Sequence, residues 1–185
     1  MKLAVVTSNN HKAREVAAYF EGLLEVEHVR LECPEFRSDD VGEIARGKAA
    51  FAFEMLKRSL IVDDTAFAVQ ALGGFPGPYA AYVLDTIGYL GILKLLEGIR
   101  DRRAWFETAI AYADAAGEIR IFRGRIEGTI VAPRGSGGFG YDPIFEWDGR
   151  TLAELPLDEK SRISHRGRAL AAFREYIEGI AKDEG

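Results

Sequence analysis

Leu60-Ile61-Val62-Asp63-Asp64-Thr65 joins a short apolar run to two adjacent carboxylates. The apolar part is typical of a buried strand. Two carboxylates at the end of such a strand repel each other unless a cation lies nearby. Magnesium meets that need, because it takes one or two carboxylates together with phosphate oxygens and keeps its other waters. The alternative is a solvated strand end in which Asp64 or Thr65 caps a turn.

Upstream, residues 41–57 read as a helix with Ile44, Phe51, Ala52, Met55 and Leu56 on a buried stripe. Lys48 falls on that same stripe, where it either snorkels to water or meets an anionic partner. Before it, residues 26–31 alternate as a strand, and Cys33-Pro34-Glu35-Phe36 makes a bend that carries a carboxylate between apolar neighbours. The chain starts with a strand over residues 2–7 and a helix over 11–23, with Val16, Ala17, Phe20 and Leu24 on one face. Between them lies Ser8-Asn9-Asn10, a strand-to-helix loop whose free N–H groups suit an anion. One of the two asparagines serves as N-cap in either reading. Lys12 in the first helical turn opposes the macrodipole, which favours a phosphate role.

Downstream, Gly73-Gly74-Phe75-Pro76-Gly77-Pro78 forms a rigid turn, and a helical stretch over 79–99 carries Val83, Ile87, Leu90, Ile92, Leu93 and Leu96. Much of that helix is expected to be buried, a partner subunit being one place for it. Residues 105–112 and 119–131 bracket a turn at Ala115-Ala116-Gly117-Glu118 and read as a β-hairpin. A last helix over 164–180 buries Leu170, Phe173, Ile177 and Ile180 and leaves His165 and Arg166 at its start. The expected fold is α/β: an elongated, mixed, twisted β-sheet flanked by helices. Residues 1–185 form one domain with two lobes, the hairpin region being the second, and a cleft between them.

The run Gly137-Gly138-Phe139-Gly140-Tyr141-Asp142-Pro143-Ile144-Phe145 suits a flat ring. Glycine permits close approach, aromatic faces stack on a heterocycle, and Asp142 accepts from ring N–H groups. The competing reading is a hairpin turn whose Phe139 and Tyr141 cap the core. Lys160-Ser161-Arg162-Ile163-Ser164-His165-Arg166 follows closely, so three polar loops bracket one candidate site.

Bulk properties narrow the function. A net charge of −5, from 29 acidic and 24 basic side chains, disfavours a general nucleic-acid binder. A polyanionic substrate then needs a local cationic pocket, for which Lys12, Lys48, Lys160 and Arg166 are candidates. No apolar run approaches the ~20 residues of a membrane span, and Met1–Val6 is too short for a signal peptide, so a soluble, cytoplasmic protein is expected. Cys33 is the single cysteine, which rules out an intramolecular disulfide.

Taken in order, Thr7-x-Asn9-x-x-Lys12, the acidic pair after a β-run, Gly74-Phe75-Pro76-Gly77, Phe139-Gly140-Tyr141-Asp142-Pro143 and Ser164-His165-Arg166 resemble the inosine triphosphate pyrophosphatase family. These enzymes hydrolyse deaminated purine nucleoside triphosphates (XTP, ITP, dITP) to monophosphate and pyrophosphate and so clean the nucleotide pool. The resemblance implies an ITPase/Maf-like fold and a homodimer. It implies that Thr7, Ser8, Asn9, Lys12, Lys48, Thr65 and Lys160 bind the triphosphate. It places Mg2+ on Glu35 and Asp64, with Asp63 alongside, and makes Asp64 the general base. Phe139, with Gly140 and Tyr141, would hold the base; Asp142 would accept from its N–H, and His165 and Arg166 would donate to the purine 6-oxo group. Two positions depart from the family pattern: Thr65-Ala66 stands for the usual Ser-Gly, and Ala80 for a frequent serine. A positive φ at residue 66 would disfavour alanine. A Maf-type pyrophosphatase acting on pyrimidine or modified nucleotides is opposed by the 139–145 loop and Ser164-His165-Arg166. A nucleotide sensor without hydrolysis is opposed by Glu35, Asp63, Asp64 and the lysines, and a purely structural domain leaves Lys48 and the acidic pair without a reason.

Overall fold

β3 (Leu60–Val69) changes partner type across its width: it runs parallel to β1 (Lys2–Val6) at Leu60–Val62 only, and antiparallel to β5 (Arg103–Ala113) along all its length. The computed structural model describes residues 2–183. The parallel part follows from two crossover helices. α1 (Asn10–Tyr19) returns the chain from β1 to β2 (Glu25–Val29), and α2 (Val41–Leu56) carries it on to β3. The antiparallel part is the hairpin of β5 and β6 (Ile119–Ile130), closed by a turn in which Asp114 accepts from the backbone N–H of Ala116 and Glu118. β4 (Pro76–Gly77), β7 (Phe145–Trp147) and β8 (Arg150–Thr151) complete one mixed sheet, in the order β2-β1-β3-β5-β6-β7-β8 with β4 on β3. This is the mixed, helix-flanked α/β sheet expected from the sequence.

Strand alternation divides the core. Ala4, Val6, Leu60, Val62, Ala66, Ala109, Ala111 and Ala113 face α2, which answers with Val41, Ala45, Ala49 and Ala52. Their neighbours Leu3, Val5, Ile61, Ile110 and Tyr112 face the other way, against Val16 and Phe20 of α1 and Ala169, Leu170 and Phe173 of α6 (His165–Asp183). Farther along that second face, Phe67, Phe106 and Phe145 pack with α3 (Ala80–Thr86), α4 (Gly88–Leu95) and the loop around Tyr141. α5 (Leu157–Ile163) packs beside α1 and leads directly into α6.

Three sequence expectations change. The stretch over 79–99 is two helices broken at Gly88, whose φ of +65° does not continue a helix. Val83, Ile92 and Leu96 are buried there, but Ile87 and Leu90 stand exposed. The α2 stripe is narrower than the hydrophobic pattern suggests: small residues bring the helix close to the sheet, and Met55 points to solvent. The acidic pair lies inside β3 rather than at its end, because β5 continues to pair with β3 after β1 has stopped.

α6 crosses β6 so closely that a Cβ on Gly124 would lie 2.1 Å from the carbonyl oxygen of His165 and 2.4 Å from the Ala169 nitrogen. Gly124→Ala is expected to cost about 2 kcal/mol or more by forcing the helix outward. In thermal unfolding this reads as a fall of several degrees; an unchanged midpoint would contradict the packing.

Candidate active site

Where β1 ends, a gap opens beside β3. The chain leaves the sheet at Thr7, whose Oγ1 accepts from the Asn9 N–H at 3.0 Å, and Asn9 in turn caps α1 by accepting from the N–H of His11 (2.9 Å) and Lys12 (3.3 Å). Asn9 is thus the N-cap, while Asn10 accepts from Arg30. Past Val62, β3 presents Asp63 and Asp64 to this gap on opposite faces of the sheet.

Asp63 faces α1 and α6. Its two oxygens meet Lys12 Nζ at 2.8 Å and Arg166 Nε. Burial alone would raise its pKa, but Arg166 and Lys12 outweigh that and hold the carboxyl well below the usual range. Arg166 also donates to Glu15 and, at 3.2 Å, to Thr65 Oγ1. Glu15 accepts from Lys160, and Lys160 donates to Asp142 Oδ2 at 2.6 Å. Three cations and three carboxylates therefore alternate in one buried chain: Lys12, Asp63, Arg166, Glu15, Lys160, Asp142. Burial tends to raise Glu15 as well, and Arg166 and Lys160 again prevail. Each cation thus has a counter-charge at hydrogen-bonding distance, the condition under which charge survives in a core.

Asp64 faces α2. Its Oδ1 lies 3.1 Å from Lys48 Nζ, which also lies 3.5 Å from the exposed Glu35 carboxylate. Burial, helped by the neighbouring Asp63, raises the Asp64 pKa against the pull of Lys12 and Lys48. Lys48 on the buried stripe is therefore anchored on carboxylates.

Two cavities meet at Asn9, Thr65 and Ala81. One, of about 220 Å³, is walled by Phe106, Phe139, Tyr141 and Leu84 and edged by Asp142, Lys160, His165 and Arg166. The other, of about 510 Å³, is lined by Thr7, Ser8, Lys12, Glu35, Lys48, Asp63 and Asp64. The site residues read from the sequence all border one cavity or the other, but four are placed differently from the expectation. Lys160 sits at the aromatic cavity, away from Lys12 and Lys48, because Glu15 and Asp142 hold it there. Asp63 is committed to Lys12 and Arg166 instead of lying beside Asp64 at a metal, since successive strand residues cannot share a face. Tyr141 is a core residue, stacked on Phe67 with centroids 4.2 Å apart and its hydroxyl donating to the Ala80 carbonyl at 2.6 Å. Arg166 already donates from all three guanidinium nitrogens, which leaves two of its five N–H groups free. Glu15 escaped the sequence reading altogether. Its signal was spacing, since a residue three positions after Lys12 shares its side of α1.

His165 is buried, its ring stacked on Phe106 with centroids 4.6 Å apart, and its Nδ1 has no hydrogen-bond partner among the described residues. Ala66, where the family pattern has glycine, is an ordinary residue of β3 packed under α2. It is not among the positive-φ residues, so alanine is unstrained there.

Glu35 and Asp64 are the carboxylates that could hold a metal: both already converge on one cationic group, the Lys48 ammonium. Among the described residues no group of three or more His, Cys, Asp or Glu side chains gathers for a metal. A protein site of two carboxylates fits Mg2+, which draws its remaining oxygens from phosphate and water.

A model of the Ham1 family matches residues 3–176. The chain belongs to the Ham1 family. Among its relatives, the dITP/XTP pyrophosphatase of Thermococcus kodakarensis is 49% identical over 96% of this chain and 97% of its own length. The inosine triphosphate pyrophosphatase 1 of Trypanosoma cruzi is 46% identical over 95% of this chain and 92% of its own. Among solved structures, a HAM1 protein from Coxiella burnetii superposes with a TM-score of 0.83 at 29% identity, covering 97% of this chain and 99% of that one. The family resemblance read from five short motifs is borne out.

Two outcomes test this electrostatic account. Glu15→Ala leaves Lys160 and Arg166 short of a counter-charge in the core and is expected to lower the unfolding free energy by about 3–5 kcal/mol; a loss below about 1 kcal/mol in urea titration would refute the buried chain. Burial, with Arg166 and Lys160 adding, pushes the His165 pKa well below its usual value, so the ring is neutral in the fold. The unfolded chain binds one proton more below about pH 6.5, so the stability from His165 is present above that pH and lost beneath it. Between about pH 7 and about pH 5, wild type should lose up to about 1.4 kcal/mol per pH unit more than His165→Phe. Parallel profiles would contradict a neutral buried ring.

Proposed function

We propose that this Ham1-family chain hydrolyses deaminated purine nucleoside triphosphates, XTP, ITP and dITP, to the monophosphate and pyrophosphate, and so removes aberrant purines from the nucleotide pool. The observation that carries this reading is the pair of joined cavities, one aromatic and one lined by cations and carboxylates, meeting at Asn9 and Thr65. A nucleoside triphosphate has the same two poles, a flat heterocycle and a chain of negative charge.

At the aromatic pole Phe139 lies against the base. Asp142 accepts a base N–H, and the neutral His165, with the free N–H groups of Arg166, donates to the 6-oxo oxygen. Adenine has an amine there, and donor would face donor. A buried polar group left unpaired costs about 1–3 kcal/mol, so ATP is disfavoured by tens- to hundreds-fold.

At the other pole the N–H groups before α1, with Lys12 and Lys48, hold the phosphates. Glu35 and Asp64 hold Mg2+, which when bound neutralises charge on the departing pyrophosphate. Asp64 takes the proton from a water in line with the α-phosphorus, and the bond to the bridging oxygen of the β-phosphate breaks. The Asp64 carboxylate is fixed for this role by β3 and by Lys48 at 3.1 Å. A homodimer in the cytoplasm completes the proposal; the exposed Tyr79, Tyr82, Ile87 and Leu90 support α3 and α4 as its contact. Among the described residues no helix is long and apolar enough to cross a membrane.

Pyrophosphate release from ITP, XTP, dITP, GTP and ATP, with magnesium and with chelator, tests the reading. Fast metal-dependent release from the first three and at least about ten-fold slower release from ATP is expected; ATP turned over as fast as ITP would refute the base assignment. Asp64→Asn should keep the wild-type melting temperature and lose about 100-fold or more in kcat. Retained turnover in that variant would remove Asp64 from the chemistry.

A further inference from the structure

We infer that His11 is a positioning residue for the base end of the cleft: its ring, stacked on Phe139, holds that phenyl group as the platform for the purine. The inference rests on the nucleotide reading above. Phe139 sits between Gly138 and Gly140, both at φ +65°, in a turn fixed by the Phe139 N–H donating to Asp142 Oδ2 at 2.8 Å and the Asp142 N–H donating to the Phe139 carbonyl at 3.2 Å. Those bonds set the backbone and leave the ring, which is only half-buried, to be held by other means. Among the described residues its one aromatic partner is His11, with ring centroids 4.8 Å apart and planes 14° from parallel. Lys160 Nζ also lies over the phenyl ring at 4.7 Å. That ammonium is already bound to Glu15 and Asp142, so its pull on the ring is reduced.

His11 has no other evident task. It is exposed, lines neither cavity, and its ring makes no hydrogen bond among the described residues. A helix gains nothing from a basic side chain in its first turn. Its backbone is fixed: the His11 N–H donates to the Asn9 cap, and the next residue is Lys12. The stack therefore fastens the glycine-rich base loop to the helix start that carries the phosphate lysine, and sets the spacing between the two poles.

The test is steady-state kinetics of the full chain with ITP for wild type, His11→Ala, His11→Phe and His11→Lys. Tripolyphosphate serves as a competitive probe that has no base. An aromatic pair of this kind corresponds to a change of roughly three- to ten-fold. His11→Ala should raise KM for ITP by that factor, with kcat within about two-fold and an unchanged melting temperature, while inhibition by tripolyphosphate stays as in wild type. His11→Phe should restore the wild-type KM, and His11→Lys should not. An unchanged KM in His11→Ala, equal weakening of tripolyphosphate, or rescue by lysine but not phenylalanine would each overturn the inference. Wild-type turnover with an unaffected His11→Ala discards the stack alone, whereas a wild type inert toward ITP discards the nucleotide reading together with it.

Discussion

The Asp63 carboxylate, with its side chain only 5% exposed, stays charged only because Lys12 from α1 and Arg166 from α6 both reach it. That requirement ties two elements distant in sequence to one point of β3. It has further consequences, because Arg166 itself needs Glu15, and Glu15 needs Lys160. The chain ends at Asp142, on the turn that carries Phe139. One electrostatic circuit thus runs from Lys12 to the loop that carries Phe139, and both cavities border it.

The sheet makes the division of labour possible. Asp63 and Asp64 are adjacent in sequence but face opposite sides of β3, so each packs against a different layer and has its own nearest cation. Asp63 is neutralised by cations and has its pKa pulled down. Asp64 sits among alanines beneath α2, with Lys48 as its partner, and has its pKa raised. One carboxylate is structural and the other is left available for chemistry. The larger cavity opens on the Asp64 side because β1 stops at Val6 and its line is taken up by the loop at Thr7–Asn9.

Much of this was legible before the fold was known. The crossover helices, the hairpin read over 105–112 and 119–131, and the position of His165 and Arg166 at a helix start follow from hydrophobic period and turn chemistry. The ordered motifs indicated the family, and every site residue read from the sequence lines one of the joined cavities. What stayed hidden depends on tertiary partners. Asp63-Asp64 looks like a strand end because aspartate disfavours strands, yet β5 holds both in register. Lys160 looks like a phosphate ligand until Glu15, far away in sequence, is seen to bind it. Glu15 looks like a solvated helix residue, and Gly88 like a tolerated glycine within a helix. Spacing from Lys12 puts Glu15 on the right side of α1, but its burial, like the helix break at Gly88, is decided by what packs across from it.

The most direct test of the central claim is a crystal structure of Asp64→Asn with ITP and magnesium bound. The account places the hypoxanthine ring against Phe139 with its 6-oxo oxygen toward His165, the phosphates between Lys12 and Lys48, and the metal on Glu35, with the ion-pair chain through Asp63 and Glu15 intact. A nucleotide bound with its phosphates at Lys160 and Asp142, or with Asp63 released from Lys12 and Arg166 to hold the metal, would contradict it.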